Sequence, residues 1–597
     1  MKPLVSTSGA ALLILNTLNF SSAVAESRDN MIITANRVPT AINRVIVPVS
    51  VIDIEDIERS LALDLSDILR FQADIDVVRT GAAGSQTSIF TRGTESNHTL
   101  VLIDGVRINN GSTGGAPVNF ISPNFIRRVE IVKAPRTTLY GEDAIGGVIN
   151  ILTKRTEGTE FTVFAGAGAD STTKIGVAGG TEAGAFTMGA QVQYTDTDGF
   201  PSVVGATQDR GYHNTSIVAN VLGDFGPWMG EVRLWHSEGT NEYFDFFLNP
   251  VDQDYTNTAL AFSALTDFSA NWNSRVDVSF VKDDLEQNQS SDFVKTDRWT
   301  VDWQNIYTLG ERNVLVGGLY FSSEDVDSSS FGTLLDADTA AVAAVYLEDN
   351  IDLGRHDVVL AGRLSDNDAY GSDFTWNVEY GFEISAPWRL TASAGRAVRA
   401  PTAFDRFGFG GDPDLKEEEA ITFQAGVQWT VATDHLFSLN AYHSDIDNLI
   451  SFNAMSMLEN IAETEIKGIE GTYSFSAVDW FLRISGMVQD PENKTTGKTL
   501  DRRAEESVSA TLTRKFGVHS ASIDFLAVGS RQDFGGEMAG YGLTNLTGQF
   551  VFNDNWNINA RIENLFDKNY VLANFDVGVP YAIPDRGLYV EVRYKMN

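Results

Sequence analysis

The chain of 597 residues is 43% apolar and 21% charged, has no cysteine and carries a formal net charge of −36. Disulfides, thiolate metal sites and thiol nucleophiles are thereby excluded. Seven histidines leave little for a His-based metal cluster, and phosphate-backbone binding would need Lys/Arg clusters that so acidic a chain does not offer.

The first 25 residues read as a secretory leader. Lys2 supplies the positive end, "AALLILNTLNF" the apolar stretch, and Ala23 and Ala25 the small residues of a cleavage site. Residues 26–37 follow as a short segment containing "DNMIITANR", which is apolar and rich in β-prone Ile and Thr. Left free near a terminus, such a segment is a sticky edge strand. Residues 38–154 form a mixed α/β module. "SVIDIEDIERS" predicts a strand entering a helix. "LSDILRFQADIDVV" begins at helical spacing (Leu65, Ile68, Leu69) and becomes extended. "HTLVLIDGVRIN" predicts a buried strand and a turn at Asp104-Gly105.

From 155 to 597 the pattern becomes uniform. Segments such as "SRVDVSFVKDD" alternate strictly, with Val276, Val278 and Phe280 on one face and Asp277 and Ser279 on the other. No run resembles a transmembrane helix, so any membrane span must be built of strands. Dyad alternation over this length predicts an all-β transmembrane barrel, one face meeting lipid and the other a polar lumen. Dividing the region by roughly 20 residues per strand and connection gives about 22 antiparallel strands. A barrel of that size needs its lumen filled, and the α/β module can serve as the plug. The final segment "GLYVEVRYKMN" places Leu588, Val590, Val592, Tyr594 and Met596 on a lipid face, and Tyr589, Glu591, Arg593 and Lys595 on a lumen face.

Several separated motifs resemble the TonB-dependent outer-membrane transporters, in that family's order: "DNMIITANR", "SIFTRGTESNHTLVLIDGVRIN", "IRRVEIVKAPRTTLYGEDAIGGVINILTK", "RAPTAFDRFGFGGDPDLKEEE", "EIKGIEGTYSF" and "ARIENLFDKNYV". Within the family the resemblance is greatest to the cobalamin branch. It implies a monomeric receptor in the bacterial outer membrane that takes up a corrinoid, or alternatively a ferric siderophore, with energy delivered by TonB and its inner-membrane partners ExbB and ExbD. Asp29, Asn30, Met31, Ile32, Ile33, Thr34 and Ala35 would form the TonB box. Thr80, Ser85, Gln86, Thr87, Glu95, Asn110, Thr113 and Gly114 would meet the ligand at the plug apex. "FDFFLNP" (244–250) would form an aromatic loop over it. Arg92 and Arg136 would pair with barrel carboxylates, Glu470 being the candidate.

Departures from the family pattern are specific. Lys133-Ala134-Pro135 replaces an Arg-Gly-Pro, Glu417-Glu418 a Pro-Glu, Gln424 an expected Glu, and Met596 a terminal aromatic. The cobalamin branch binds calcium through acidic loop residues. Asp209, Asp245 and Asp254 are the candidates here, while Pro201-Ser202 stand about where another Asp is expected. Residues 402–411 contain no histidine, against a haem ligand. No covalent cofactor is expected. No G-x-S-x-G elbow, H-E-x-x-H or phosphate-cradling glycine loop is present, so the chain is expected not to be an enzyme. The contrasting possibility, a passive porin or structural surface protein, has no use for a plug or a coupling segment.

Overall fold

The computed structural model describes residues 32–33, 37, 39–155, 158–330, 333–334, 338–432, 434–453 and 455–596. The leader (1–25) and the predicted box residues Asp29, Asn30, Met31, Thr34 and Ala35 lie outside these.

Twenty-two strands among the described residues close into one antiparallel barrel, running from Glu160–Gly168 to Gly587–Met596. The last strand pairs with the first in a register from Phe161↔Met596 to Gly168↔Tyr589. Alternation holds strand by strand. In Phe186–Phe200, Val192 and Tyr194 stand exposed on the outer wall while Gln191, Gln193 and Thr195 are buried against the lumen contents. In the closing strand Leu588, Val590 and Val592 point out, and Glu591 and Arg593 point in.

One end of the barrel carries turns of two or three residues, such as 184–185, 225–227 and 386–387. The other carries long connections, such as 400–417 and 564–586. Short turns mark the periplasmic side and long loops the extracellular side. At the short-turn end aromatic rings gather on the outer wall. Trp388 stacks on Trp429 at 4.9 Å between ring centroids, Trp272 lies 4.8 Å from Phe268, and Trp556 lies 4.9 Å from Tyr594. This is the aromatic girdle that sits at a membrane interface.

The plug is a five-stranded sheet in the order Val49–Ile52, Ile126–Val132, Gly147–Thr153, Thr99–Ile103, Val106–Arg107. Only Thr99–Ile103 and Gly147–Thr153 run parallel. Asp53 caps the helix Ile54–Ser60 by accepting from the Asp56 backbone N–H, and Asp64 caps Leu65–Leu69. Asp104 and Gly105 both take positive φ (49° and 85°), as a tight hairpin turn requires. Gly147 has φ 135°, and a Cβ there would lie 2.2 Å from the Val132 carbonyl oxygen, so no other residue fits. The plug core, with Leu65, Leu69, Val129 and Ile149, is continuous with the inward-facing barrel residues Val218, Trp235 and Ala259. The plug sheet ends at Thr153 and the barrel begins at Glu160. Ahead of the plug, Ile32–Ile33 pair antiparallel with Thr40–Ala41. Arg37 then reaches the barrel wall, where it is ion-paired with Asp302, donates to the Tyr346 hydroxyl at 2.9 Å and lies over the Tyr140 ring at 4.7 Å.

Candidate ligand vestibule and plug anchors

Two plug loops reach the extracellular side. The first, 80–86, joins the hairpin strands Ile75–Arg79 and Thr87–Thr91. Thr80 closes it, its backbone N–H donating to the Gln86 carbonyl at 3.0 Å. The second follows Asn109. Its Asn110 side chain accepts from the Thr113 N–H and hydroxyl at 2.9 and 3.0 Å, which leaves Thr113 exposed at the tip. An N-terminal turn of the extracellular segment 400–417 rests on this loop, with the Phe404 N–H donating to the Ser112 carbonyl at 2.9 Å.

Of the predicted ligand contacts, Gln86 and Thr113 are exposed, and Thr80, Thr87, Glu95 and Asn110 are half-buried. Ser85 and Gly114 are not available. Ser85 is only 2% exposed. Gly114 is buried, so close under Asn97 and Thr402 that a Cβ would meet them at 2.9 and 3.3 Å. Barrel residues close over both loops, Ser202 and Tyr212 against the first at Gly81 and Gly84, and Thr402, together with the plug's own Asn97, against the second. Glu95 does not present a bare charge: it forms an ion pair of 2.5 Å with Arg503, whose guanidinium lies 4.1 Å from the centre of the Phe90 ring. On the rim, Phe246 and Phe247 are 71% and 75% exposed, and Phe246 stacks across to Phe575 of the 564–586 loop at 6.5 Å.

The three predicted calcium ligands do not assemble. Asp245 is consumed within its own loop, accepting from the Phe247 and Asn249 backbone N–H groups at 2.9 and 2.8 Å, and Asp254 accepts from the Thr240 hydroxyl at 2.5 Å. Among the described residues only His443, Asp445 and Glu465 bring three metal-capable side chains together. A calcium site built from Asp209, Asp245 and Asp254 does not fit this arrangement.

Below the vestibule the plug is fastened to the barrel by buried ions. Arg92 (φ 50°) and Gly93 (φ 77°) turn the chain sharply after Thr91, and this aims the Arg92 guanidinium at the wall. There it grips Glu470 at 2.7 and 3.0 Å, reaches Gln424 Oε1 at 3.0 Å, and lies 4.5 Å from the centre of the Tyr442 ring. Arg136 pairs with Glu379, not with Glu470, whose second cationic neighbour is Lys133 at 4.0 Å. Lys133, where the family has arginine, also pairs with Asp74. Burial would raise the Asp74 pKa, but Lys133 and then Arg92 outweigh it and hold the carboxyl below the usual range. Gln424, where a carboxylate was expected, leaves its Nε2 without a partner.

Glu418 is fully buried, 0% exposed. It accepts from Arg399 Nε at 2.5 Å, His98 Nε2 at 2.6 Å and the Ile450 N–H at 2.7 Å. It ties the plug through His98 to three adjacent barrel strands, Trp388–Arg399, Glu418–Ala432 and His435–Phe452. Sequence reasoning missed Glu379, Asp74 and the roles of Glu418 and Lys133. Of these, Lys133 stands at a departure from the family pattern, and Glu418 follows one at Glu417.

Asp76, on the plug hairpin, accepts from the Ala504 N–H at 3.2 Å, and burial pushes its pKa up to about 6. A carboxyl whose folded pKa is raised stabilises the fold below its unfolded value of 3.8, and that contribution is lost as pH rises through about 6. Asp76→Asn is therefore expected to leave stability nearly unchanged at about pH 4 and to raise the melting temperature at about pH 7.5. Thermal melts of both proteins at the two pH values check this.

A closed barrel with an apolar outer wall and a plug domain filling its lumen has the architecture of an outer-membrane receptor. The chain belongs to the TonB-dependent receptor family: its residues 149–565 match the family's receptor-like β-barrel, and residues 41–148 its Receptor Plug Domain. It is 30% identical over 600 residues to the vitamin B12 transporter BtuB of Photobacterium profundum, covering 96% of each chain. Among solved structures it is similar to the ferric enterobactin receptor PfeA of Pseudomonas aeruginosa (TM-score 0.81, 16% identity, 92% of this chain and 99% of that one). It is likewise similar to FpvA of P. aeruginosa bound to pyoverdine (TM-score 0.82, 15% identity, 96% and 89%). At these identities the two structures show the shared fold alone. The protein is a TonB-dependent transporter of the outer membrane.

Proposed function

We propose that the transported ligand is cobalamin or a closely related corrinoid, and that residues 29–35 are the segment TonB grips. The observation that carries the ligand assignment is the 30% identity to a vitamin B12 transporter along 96% of the chain. The vestibule chemistry supports it. Gln86, Asn110, Thr113 and Thr80 offer amides and hydroxyls at the plug apex, suited to a large neutral ligand with amide arms. Glu95 is neutralised by Arg503 within the protein, so these plug loops present no cluster of cations for an anionic chelate. Exposed Phe246 and Phe247 offer apolar cover from the rim.

Ligand bound at the apex favours the plug arrangement that frees the coupling segment, which requires that the two arrangements bind ligand with different affinity. TonB then adds a strand to that segment and pulls. The chain's own residues supply binding, anchoring and release, with no covalent step. The test is uptake of labelled cyanocobalamin by cells in which this protein is the only route. Uptake is expected to saturate and to stop when a protonophore collapses the proton gradient. Uptake that is linear in concentration and insensitive to the protonophore would contradict active transport.

A further inference from the structure

The anchors described above leave Glu348 unused. It lies on the barrel strand Asp338–Asp352, faces the lumen and is 4% exposed. The Asn350 amide donates to it at 2.8 Å, and among the described residues no Lys, Arg or His nitrogen lies within 4.0 Å of its carboxylate. A buried carboxylate without a counter-ion is costly. Its presence is accounted for if a cation reaches it in another arrangement of the plug.

The nearest candidate is Arg136 of the plug. Its present partner Glu379 and the unused Glu348 flank one strand, His356–Asn367, where Glu348 stands opposite Ala361 and Glu379 opposite Val359. The two carboxylates are therefore two strands apart around the wall, roughly 10 Å at the usual strand spacing. Arg136 uses Nη1 on Glu379, its Nε has no hydrogen-bond partner, and after Glu379 the next carboxylate whose field acts on it is that of Glu348. The short helix Thr137–Tyr140 follows Arg136 directly. Its last residue, Tyr140, lies under the Arg37 guanidinium, which also donates to Tyr346, two positions from Glu348 on the same strand. Withdrawal of Arg37 toward the periplasm thus uncovers both the helix that carries Arg136 and the approach to Glu348.

We propose that Glu348 is a positioning residue for transport: a second seat that takes Arg136 when the plug leaves its resting place, so that the Arg136–Glu379 pair is exchanged and not broken. The proposal rests on residues 29–35 being the segment that is pulled, not on which ligand is carried. Breaking the pair outright would strand two buried charges. Exchange strands Glu379 alone and satisfies Glu348, so one buried carboxylate is unpaired before the step and one after it. The plug can then shift along this wall and return without a net loss of ion pairs.

The exchange is tested first without ligand or TonB. In a crystal structure of the full-length Glu379→Ala protein, an Arg136 guanidinium nitrogen is expected within about 3.2 Å of a Glu348 carboxylate oxygen. In thermal melts Glu379→Ala and Glu348→Gln should each shift the midpoint little. The double variant should fall by more than the sum of the two shifts, because both carboxylates serve one arginine. Should Glu379→Ala fail to fold, Glu379→Leu refills the space and takes its place. Arg136 remaining away from Glu348, or shifts that simply add, would overturn the proposal. Energised uptake of labelled cyanocobalamin gives a readout that packing alone would not move. Glu348→Gln is expected to lower the maximal rate about tenfold with KM unchanged, and Glu348→Asp to recover most of it. An unchanged maximal rate in Glu348→Gln would equally overturn the proposal. Lack of uptake by the wild type would count against the ligand assignment alone, and the structure and the melts would still decide.

Discussion

Replacing Ile33 with proline is expected to reduce energised uptake about 100-fold while leaving ligand binding at the plug apex unchanged. The proposed coupling segment works through its backbone. A partner that adds a strand needs a row of N–H and C=O groups, and proline deletes a donor and blocks close approach. The Ile32–Ile33 backbone is already strand-like, pairing with Thr40–Ala41 over two residues. So short a ladder is readily exchanged for a longer one with a partner strand. Ile33→Ala, which keeps the N–H, should transport at close to the native rate. Initial rates of cyanocobalamin uptake, paired with equilibrium binding by the same variants, separate the two roles. Full-rate uptake by Ile33→Pro would remove residues 29–35 from the mechanism.

Glu418→Ala should be the most damaging single change in the anchor, costing about 3–5 kcal/mol of stability. The carboxylate satisfies Arg399, His98 and the Ile450 N–H at once. All sit where water cannot replace it, and truncation leaves the Arg399 guanidinium with the Asp405 carboxylate at 3.1 Å and the Ala400 carbonyl at 3.4 Å. Glu418→Gln, with its amide oxygen at the position that Arg399 and His98 share, keeps an acceptor for two of the three donors and should fall between the wild type and Glu418→Ala. Thermal unfolding of the three proteins gives the order. A shift corresponding to less than about 1 kcal/mol for Glu418→Ala would mean that the site reorganises or hydrates, against its burial.

The barrel was legible because lipid outside and polar plug inside impose a two-residue period on every strand. Val276, Val278 and Phe280 against Asp277 and Ser279 already carry that rule, and the strand number follows from length. The plug anchors were legible only where a family motif marked both partners, as with Arg92 and Glu470. Arg136 was given only Glu470 as a candidate and pairs with Glu379 instead, because no motif marks Glu379. Nothing in a local pattern fixes which barrel strand a plug side chain will face. Ser85 and Gly114 illustrate the converse limit. Their loops are small, polar and glycine-rich, yet the inward barrel residue Tyr212 packs against the first loop and Thr402 covers the second. Burial imposed by a partner domain leaves no trace in the buried segment's composition. Two of the departures, Lys133 and Gln424, lie at the plug–barrel interface, beside the matching residues Arg92 and Glu470.

The measurement that bears most directly on the central claim is titration of the purified full-length protein with cyanocobalamin, followed by tryptophan fluorescence, beside a parallel titration with ferric enterobactin. A corrinoid transporter with its site at the plug apex should show saturable quenching complete below micromolar cyanocobalamin, weakened by Thr113→Trp, and none with the iron chelate. Absence of saturable binding to cyanocobalamin at micromolar concentration, or saturation by the chelate instead, would contradict the assignment.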